Sequence, residues 1–254
     1  MLFRQLLCPM NPITTMSAPA AHARPAIGVR ALLAACWLLA AAGSARAHDT
    51  WVLPSSFQLS PGQTVRTRVS SGDGLTPITA PPRRSLSSLH LIDSQGRTEA
   101  QRWQREATVA QAQFRAAAPG VACLALSMDD TEIALAPDVV AQYLREVHAP
   151  APVLQAWQRQ RALGQAWVER YAKDAKTYLR SGPLSTGWPA LARIGHRLEL
   201  VPLRDPTRLA VGDSLPVRLL LDGQPVPQAA LRLSQPGAAE PEVHTEAQGQ
   251  ADIR

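Results

Sequence analysis

Thr64-Val65-Arg66-Thr67-Arg68-Val69 has a two-residue period, the pattern of a half-buried β-strand. It follows the turn Ser60-Pro61-Gly62-Gln63, and Phe57-Gln58-Leu59 precedes that turn with strand character. Working outward, Ser71-Gly72-Asp73-Gly74 and the Pro-rich span 77–82 read as a long loop. Ser88-Leu89-His90-Leu91-Ile92 resumes a strand and ends at the hairpin turn Asp93-Ser94-Gln95-Gly96. Residues 108–114 and 121–128 continue the series around Pro119-Gly120. Short strands separated by turn residues at this spacing predict a β-sandwich.

The middle of the chain changes period. Pro137 suits the first position of a helix, and Asp138 places a carboxylate in its first turn. Val139, Val140, Tyr143, Leu144 and Val147 follow at helical spacing. Val153, Leu154 and Trp157 open a second helix, with Gly164 as its stop. Val168, Tyr171, Ala175 and Tyr178 give a third helical pattern, with Glu169, Arg170, Lys173, Asp174 and Lys176 on its solvated face. The excursion predicted from these patterns covers about 137–180.

A second β unit starts near Leu198. Leu198-Glu199-Leu200-Val201-Pro202, residues 215–221 and residues 229–233 are its strands, with Val243-His244-Thr245 and Ala251-Asp252-Ile253 flanking the turn Glu246-Ala247-Gln248-Gly249, and Asp222-Gly223-Gln224-Pro225 is another turn. Four or five strands fall short of the about seven of a closed sandwich, so this unit reads as C-terminally truncated.

The start of the chain reads as an export signal. Arg24 and Arg30 precede the apolar run ALLAACWLLAAA at residues 31–42. Gly43 and Ser44 break that run, and Ala45 and Ala47 supply small residues at −3 and −1 of a cleavage site. The run has 12 residues, short of the roughly 20 a membrane span needs, so no stable span is expected after cleavage. Cys36 resembles a lipobox cysteine, but only five apolar residues separate it from Arg30. Cleavage after Ala47 leaves 207 residues beginning at His48 and places them in the periplasm.

Charge and cysteine content narrow the role. The 26 basic residues include Arg4, Arg24, Arg30 and Arg46 of the leader, which holds none of the 20 acidic ones, so the cleaved chain carries +2 rather than +6. That balance, without a dense basic run, argues against nucleic acid as a partner. Cys8 and Cys36 leave with the leader. Cys123, alone and set in Val121-Ala122-Cys123-Leu124-Ala125-Leu126, reads as a small buried strand residue rather than a reactive thiol.

Several segments taken together resemble the DUF4198 family, exported proteins related to the substrate-specific part of nickel uptake systems. They are His48-Asp49-Thr50-Trp51-Val52, Pro54-Ser55-Ser56-Phe57 and Leu59-Ser60-Pro61-Gly62-Gln63. Tyr143-Leu144-Arg145-Glu146, Glu169-Arg170-Tyr171 with Lys176, 198–202 and 211–217 complete the set. The order and spacing of the pieces carry the likeness, which covers nearly all of the chain after the leader. The resemblance implies a periplasmic β-sandwich followed by an immunoglobulin-like domain, with a role in handling nickel, cobalt or a similar ion. It also implies a strand where 173–180 reads as helix, and closing strands beyond the equivalent of Arg254.

His48 and Asp49 are the candidate metal ligands. A histidine at a free N-terminus offers an α-amine and ring Nδ1 on one residue. The amine's pKa of about 7.7–8.0 leaves a useful neutral fraction near neutrality. Two such nitrogens suit Cu(II) or Ni(II) in tetragonal geometry, and Asp49 adds an oxygen. His90, His148, His196 and His244 lack HxH or HxxxH spacing, and each alone reads as structural. Glu199, single in its strand, reads as a surface residue.

No GxSxG, Walker A or helix-opening GxGxxG occurs, so the chain is not read as an enzyme. The fold class expected is mainly β: a β-sandwich over 48–197 with a helical insertion, then a partial immunoglobulin-like β domain over 198–254. The function expected is a periplasmic metal-binding accessory protein. Its cofactor is a divalent transition metal ion (nickel, cobalt or copper), and its partner is a membrane transporter component. A structural or interaction module of the cell envelope without metal is the alternative, and a copper monooxygenase built on His48 is a third, weaker reading.

Overall fold

A computed structural model describes residues 2–4, 49–116, 118–146, 149–183, 188–235 and 241–254. The expected signal segment and His48 otherwise lie outside the described residues, as does His148. The chain divides into two units; the described residues within 2–4, 49–131 and 172–254 belong to one, and those within 132–171 to the other.

The larger unit is mainly β. Its first strands are β1 (Leu2–Arg4), β2 (Asp49–Pro54), β3 (Gln58–Leu59), β4 (Thr64–Asp73), β5 (Thr76–Thr79) and β6 (Leu86–Asp93). β7 (Gly96–Glu99), β8 (Gln101–Arg105), β9 (Ala110–Arg115) and β10 (Gly120–Met128) follow. One sheet runs β2-β4-β9-β8 with β5 also on β4. The facing sheet runs β3-β13-β10-β6-β7, where β13 is Asp174–Ser181. Val52, Val65, Val69 and Phe114 from the first sheet meet Leu89, Leu91, Leu124, Leu126 and Leu179 from the second in one core. This is the β-sandwich the alternating strands predict.

The two-residue period of Thr64–Val69 holds: Val65, Thr67 and Val69 are buried, and the residues between them are exposed. The strand extends past it to Asp73, so part of the expected loop at 71–74 is paired, with Gly72 opposite both Asp49 and Pro77. β7 and β8 had no clear sequence signal; their side chains are mostly exposed, so no alternation marks them.

The smaller unit holds β11 (Thr131–Leu135, its first residue in the larger unit), α1 (Pro137–Glu146), α2 (Ala151–Ala162) and β12 (Trp167–Tyr171), with β11 paired to β12. Pro137 and Asp138 open α1, whose Val140, Tyr143 and Leu144 form its buried face. Gly164, at φ 67°, follows the C-terminus of α2, where Gly164 N donates to Arg161 O.

The third helix is corrected. The span predicted helical to about residue 180 is helical only over 137–146 and 151–162; residues 167–171 and 174–181 are strands. Eight residues of β13 pair antiparallel with Gly120–Ser127 of β10. That ladder, with Thr177, Leu179 and Ser181 buried at a two-residue period, outweighs a short apolar pattern equally compatible with a helix.

After α3 (Pro189–Ala192) come β14 (Leu198–Pro202), β15 (Leu215–Leu221), β16 (Gln224–Pro225), β17 (Ala230–Ser234), β18 (Glu242–His244) and β19 (Gln250–Ile253). β15 is the hub, pairing with β14, β16 and β19. β17 pairs with β18 on one side and with the backbone of β1 on the other. Leu200, Leu215, Val217, Leu219, Leu231, Leu233 and Ile253 form this region's own core.

Candidate functional site

Asp49 is the first residue of β2, fixed opposite Gly72 of β4. It is half-buried, and its charge lies near Lys173, whose pKa burial lowers while Asp49 pulls it back up. On the other face of β2, Thr50 Oγ1 lies 2.7 Å from Ser71 Oγ and 3.6 Å from Met128 Sδ. Trp51, on the same face as Asp49, is 1% exposed, and its indole N–H has no hydrogen-bond partner among the described residues. His48 lies outside the described residues, so the structure places one of the two sequence-predicted ligands. Among the described residues no three His, Cys, Asp or Glu side chains converge as a metal set. A carboxylate oxygen beside an amine and an imidazole is a chemically suitable set for nickel, cobalt or copper.

The most heavily buried charges lie elsewhere. Side chains of β10 alternate between the sandwich core and the sheet's outer face, yet Gly120–Ser127 is almost wholly buried. The outer face is covered by the segment leading to β14: Leu191, Trp188 and Ile194 pack with Ile92, Val121, Ala125 and Tyr178. The small residues Cys123 and Ala125 leave room for that cover. On the same face, Ala125 pairs with Lys176 and Cys123 with Tyr178 across the ladder.

Lys176 Nζ donates to Glu199 Oε1 at 2.7 Å and to Ala192 O at 3.1 Å. Glu199 also accepts from Ile194 N at 2.7 Å and Gly195 N at 3.1 Å. Burial alone would raise the Glu199 carboxyl, but the Lys176 charge, its hydrogen bond and the two amides hold it below its ordinary value. Lys176 is shifted down because burial outweighs the pull of Glu199. Tyr178 Oη donates to Leu191 O and Ala192 O, and its ring meets Trp188 edge-on at 5.1 Å. Burial also pushes the Cys123 thiol up to about 12, which makes it chemically inert.

Two sequence expectations are corrected here. Glu199 is 1% exposed and is not a surface residue. Lys176 does not belong to a solvated face; as a strand residue it points to the covered side of the sheet. The usable signal was period two through Thr177, Leu179 and Ser181, which puts Lys176 and Tyr178 together on the other face.

A third cluster lies within the smaller unit. Trp167 Nε1 donates to Glu169 Oε2 at 3.3 Å, and Tyr143 also hydrogen-bonds Glu169. Burial raises the Glu169 carboxyl, the two donors only partly offsetting it, and burial also raises Tyr143.

The remaining histidines are dispersed. His90 is half-buried on β6 opposite Ala125 and Glu99, and exposed His244 lies 3.6 Å from Glu242. His196 is in the segment between α3 and β14, its ring Nδ1 buried without a hydrogen-bond partner among the described residues.

None of the curated proteins matches this chain. Residues 45–254 match DUF4198, a domain of unknown function, from the edge of the expected cleavage site to the last residue given. With most of its length matched, and with the β-rich fold that resemblance implied, the chain belongs to the DUF4198 family.

Proposed function

We propose that this is an exported periplasmic accessory protein, not an enzyme, that binds a divalent transition metal for uptake or delivery. Nickel, cobalt and copper are the metals its donor chemistry suits, and a membrane transporter component is the partner the role calls for. The observation that supports this reading is the position of Asp49. Its half-buried carboxylate begins β2, directly after the residue that cleavage past Ala47 would make the N-terminus. The amine and ring Nδ1 of His48 would then supply two donors and Asp49 a third, anchored by its pairing with Gly72.

The test starts with the protein recovered from the cell envelope, whose intact mass should correspond to an N-terminus at His48. That protein is titrated with Cu(II) and Ni(II) beside a form carrying one extra alanine before His48 and a His48→Ala form. The free-His48 protein should bind one ion, and the other two should bind far more weakly. Equal binding by all three, or by none, overturns the metal role and favours the plain interaction module.

A further inference from the structure

In the segment 193–197, Ile194, Gly195 and Arg197 are pinned and flank His196. Arg97 Nη2 of β7 donates to Ile194 O at 3.2 Å. Ile194 N and Gly195 N both donate to Glu199. Arg197 Nε lies 3.4 Å from Asp222 Oδ1, and Arg197 O accepts from Asp222 N at 2.8 Å. Between these anchors the His196 ring has Nδ1 buried and without a hydrogen-bond partner among the described residues.

A neutral imidazole tolerates that position, because one nitrogen presents only a lone pair. A protonated ring has two N–H donors and a full charge, and leaving a charged donor buried without an acceptor is far more unfavourable. The groups facing the ring do not remove the problem. Asp174 of β13 and Glu199 of β14 favour the charged form, while Lys176 of β13 and Arg97 of β7 oppose it. The Asp174 carboxylate is held by Ser127 Oγ at 2.7 Å through Oδ1 and does not reach the ring's Nδ1. Both oxygens of Glu199 are taken by Lys176, Ile194 and Gly195. Gly195, at φ 90° with open space where a Cβ would stand, gives the backbone room to rotate next to the ring.

We propose that His196 is a proton-operated release for this segment: a proton on the half-buried ring drives Nδ1 out of its buried position and withdraws Ile194 and Gly195 from Glu199. The cover over β10 then loosens, while Lys176 and Glu199 keep each other. Burial is the largest influence on the ring and lowers its pKa from 6.5. A lowered folded value means that the bound segment is favoured above pH 6.5, and that this advantage is lost as pH falls through the lowered value.

The experiment is hydrogen exchange on the full-length chain in the presence of EDTA, so that any metal at the terminus plays no part. Protection of the Ile194 and Gly195 amides, corrected for intrinsic rates, is compared at about pH 7.5 and about pH 5. In the unaltered protein it should drop about ten-fold or more, and in His196→Phe it should stay flat. The same drop in both proteins, or none in the unaltered one, overturns the proposal. If His196→Phe does not fold, His196→Gln takes its place. Ring carbon shifts of the unaltered protein give an independent reading: a His196 that titrates at or above its ordinary value overturns the proposal without any variant.

Discussion

Lys176 Nζ lies 2.7 Å from Glu199 Oε1, with the lysine side chain 7% and the glutamate 1% exposed. The pair joins β13 of the sandwich to β14, the first strand of the next β region. It closes over the segment between them, because the same carboxylate holds Ile194 and Gly195.

Removing one member should be severe. Lys176→Met or Glu199→Leu leaves the other charge buried and uncompensated, and should destabilise the protein by about 3–5 kcal/mol. The double variant should lose much less than the sum of the two. Urea unfolding of all four proteins measures this; simple additivity would show that the pair is not coupled.

Acid should act on the same carboxylate. The folded Glu199 pKa lies below 4.5, so its contribution is complete above that pH and is lost as pH falls through the lowered value. In urea midpoints measured across the acid range, the Glu199→Gln protein should lack this loss. An unchanged acid limb would assign the loss to other carboxylates.

Glu169 should behave with the opposite sign. Its folded pKa is raised by burial, so its contribution to stability is present below 4.5 and is lost as pH rises through the raised value. At neutral pH, Glu169→Gln should therefore protect the 132–171 unit better against local opening, as read by hydrogen exchange in β12. Weaker protection in the variant would mean that the ionised carboxylate, with its Tyr143 and Trp167 donors, is the favoured form.

Cys123 should stay unreactive toward a thiol reagent in the native state, since its pKa is pushed up to about 12 and the residue is wholly buried. Labelling should appear only with unfolding, so its rate in urea should follow loss of the β10 ladder. Rapid labelling without denaturant would show that the cover formed by Leu191 and Ile194 opens readily.

Gly249 tests the packing of the turn before β19. Its φ is 69°, and a Cβ there would stand 2.6 Å from Leu219 O and 2.9 Å from Val226 N. Gly249→Ala should lose about 1–3 kcal/mol, seen as a melting temperature lower by about 2–4 °C for each kcal/mol. An unchanged melting temperature would show that the turn relaxes without strain.

Much of the fold was legible because half-buried strands write their orientation into alternate residues. Val65, Thr67 and Val69 point inward as their spacing requires, and the Pro137–Asp138 start of the first helix and the Gly164 stop of the second are local chemistry. β7 and β8, mostly exposed apart from Thr98 and Trp103, left no such mark. At the candidate metal site the sequence supplied the residues, and the fold added Asp49's fixed place on β2.

By itself, then, the sequence determined a mainly β chain with a helical excursion in its middle, two of whose three expected helices form, since those features depend on neighbours a few residues apart. The tertiary structure decided the state of residues 167–181 and the burial of Lys176, Glu199 and the Nδ1 atom of His196. Val168, Tyr171, Ala175 and Tyr178 keep helical spacing, and pairing of 167–171 with β11 and of 174–181 with β10 overrides it. A charged residue in sequence carries no sign of a partner 23 positions away. That partner, and the segment folded over it, exist only once β13 and β14 are brought together.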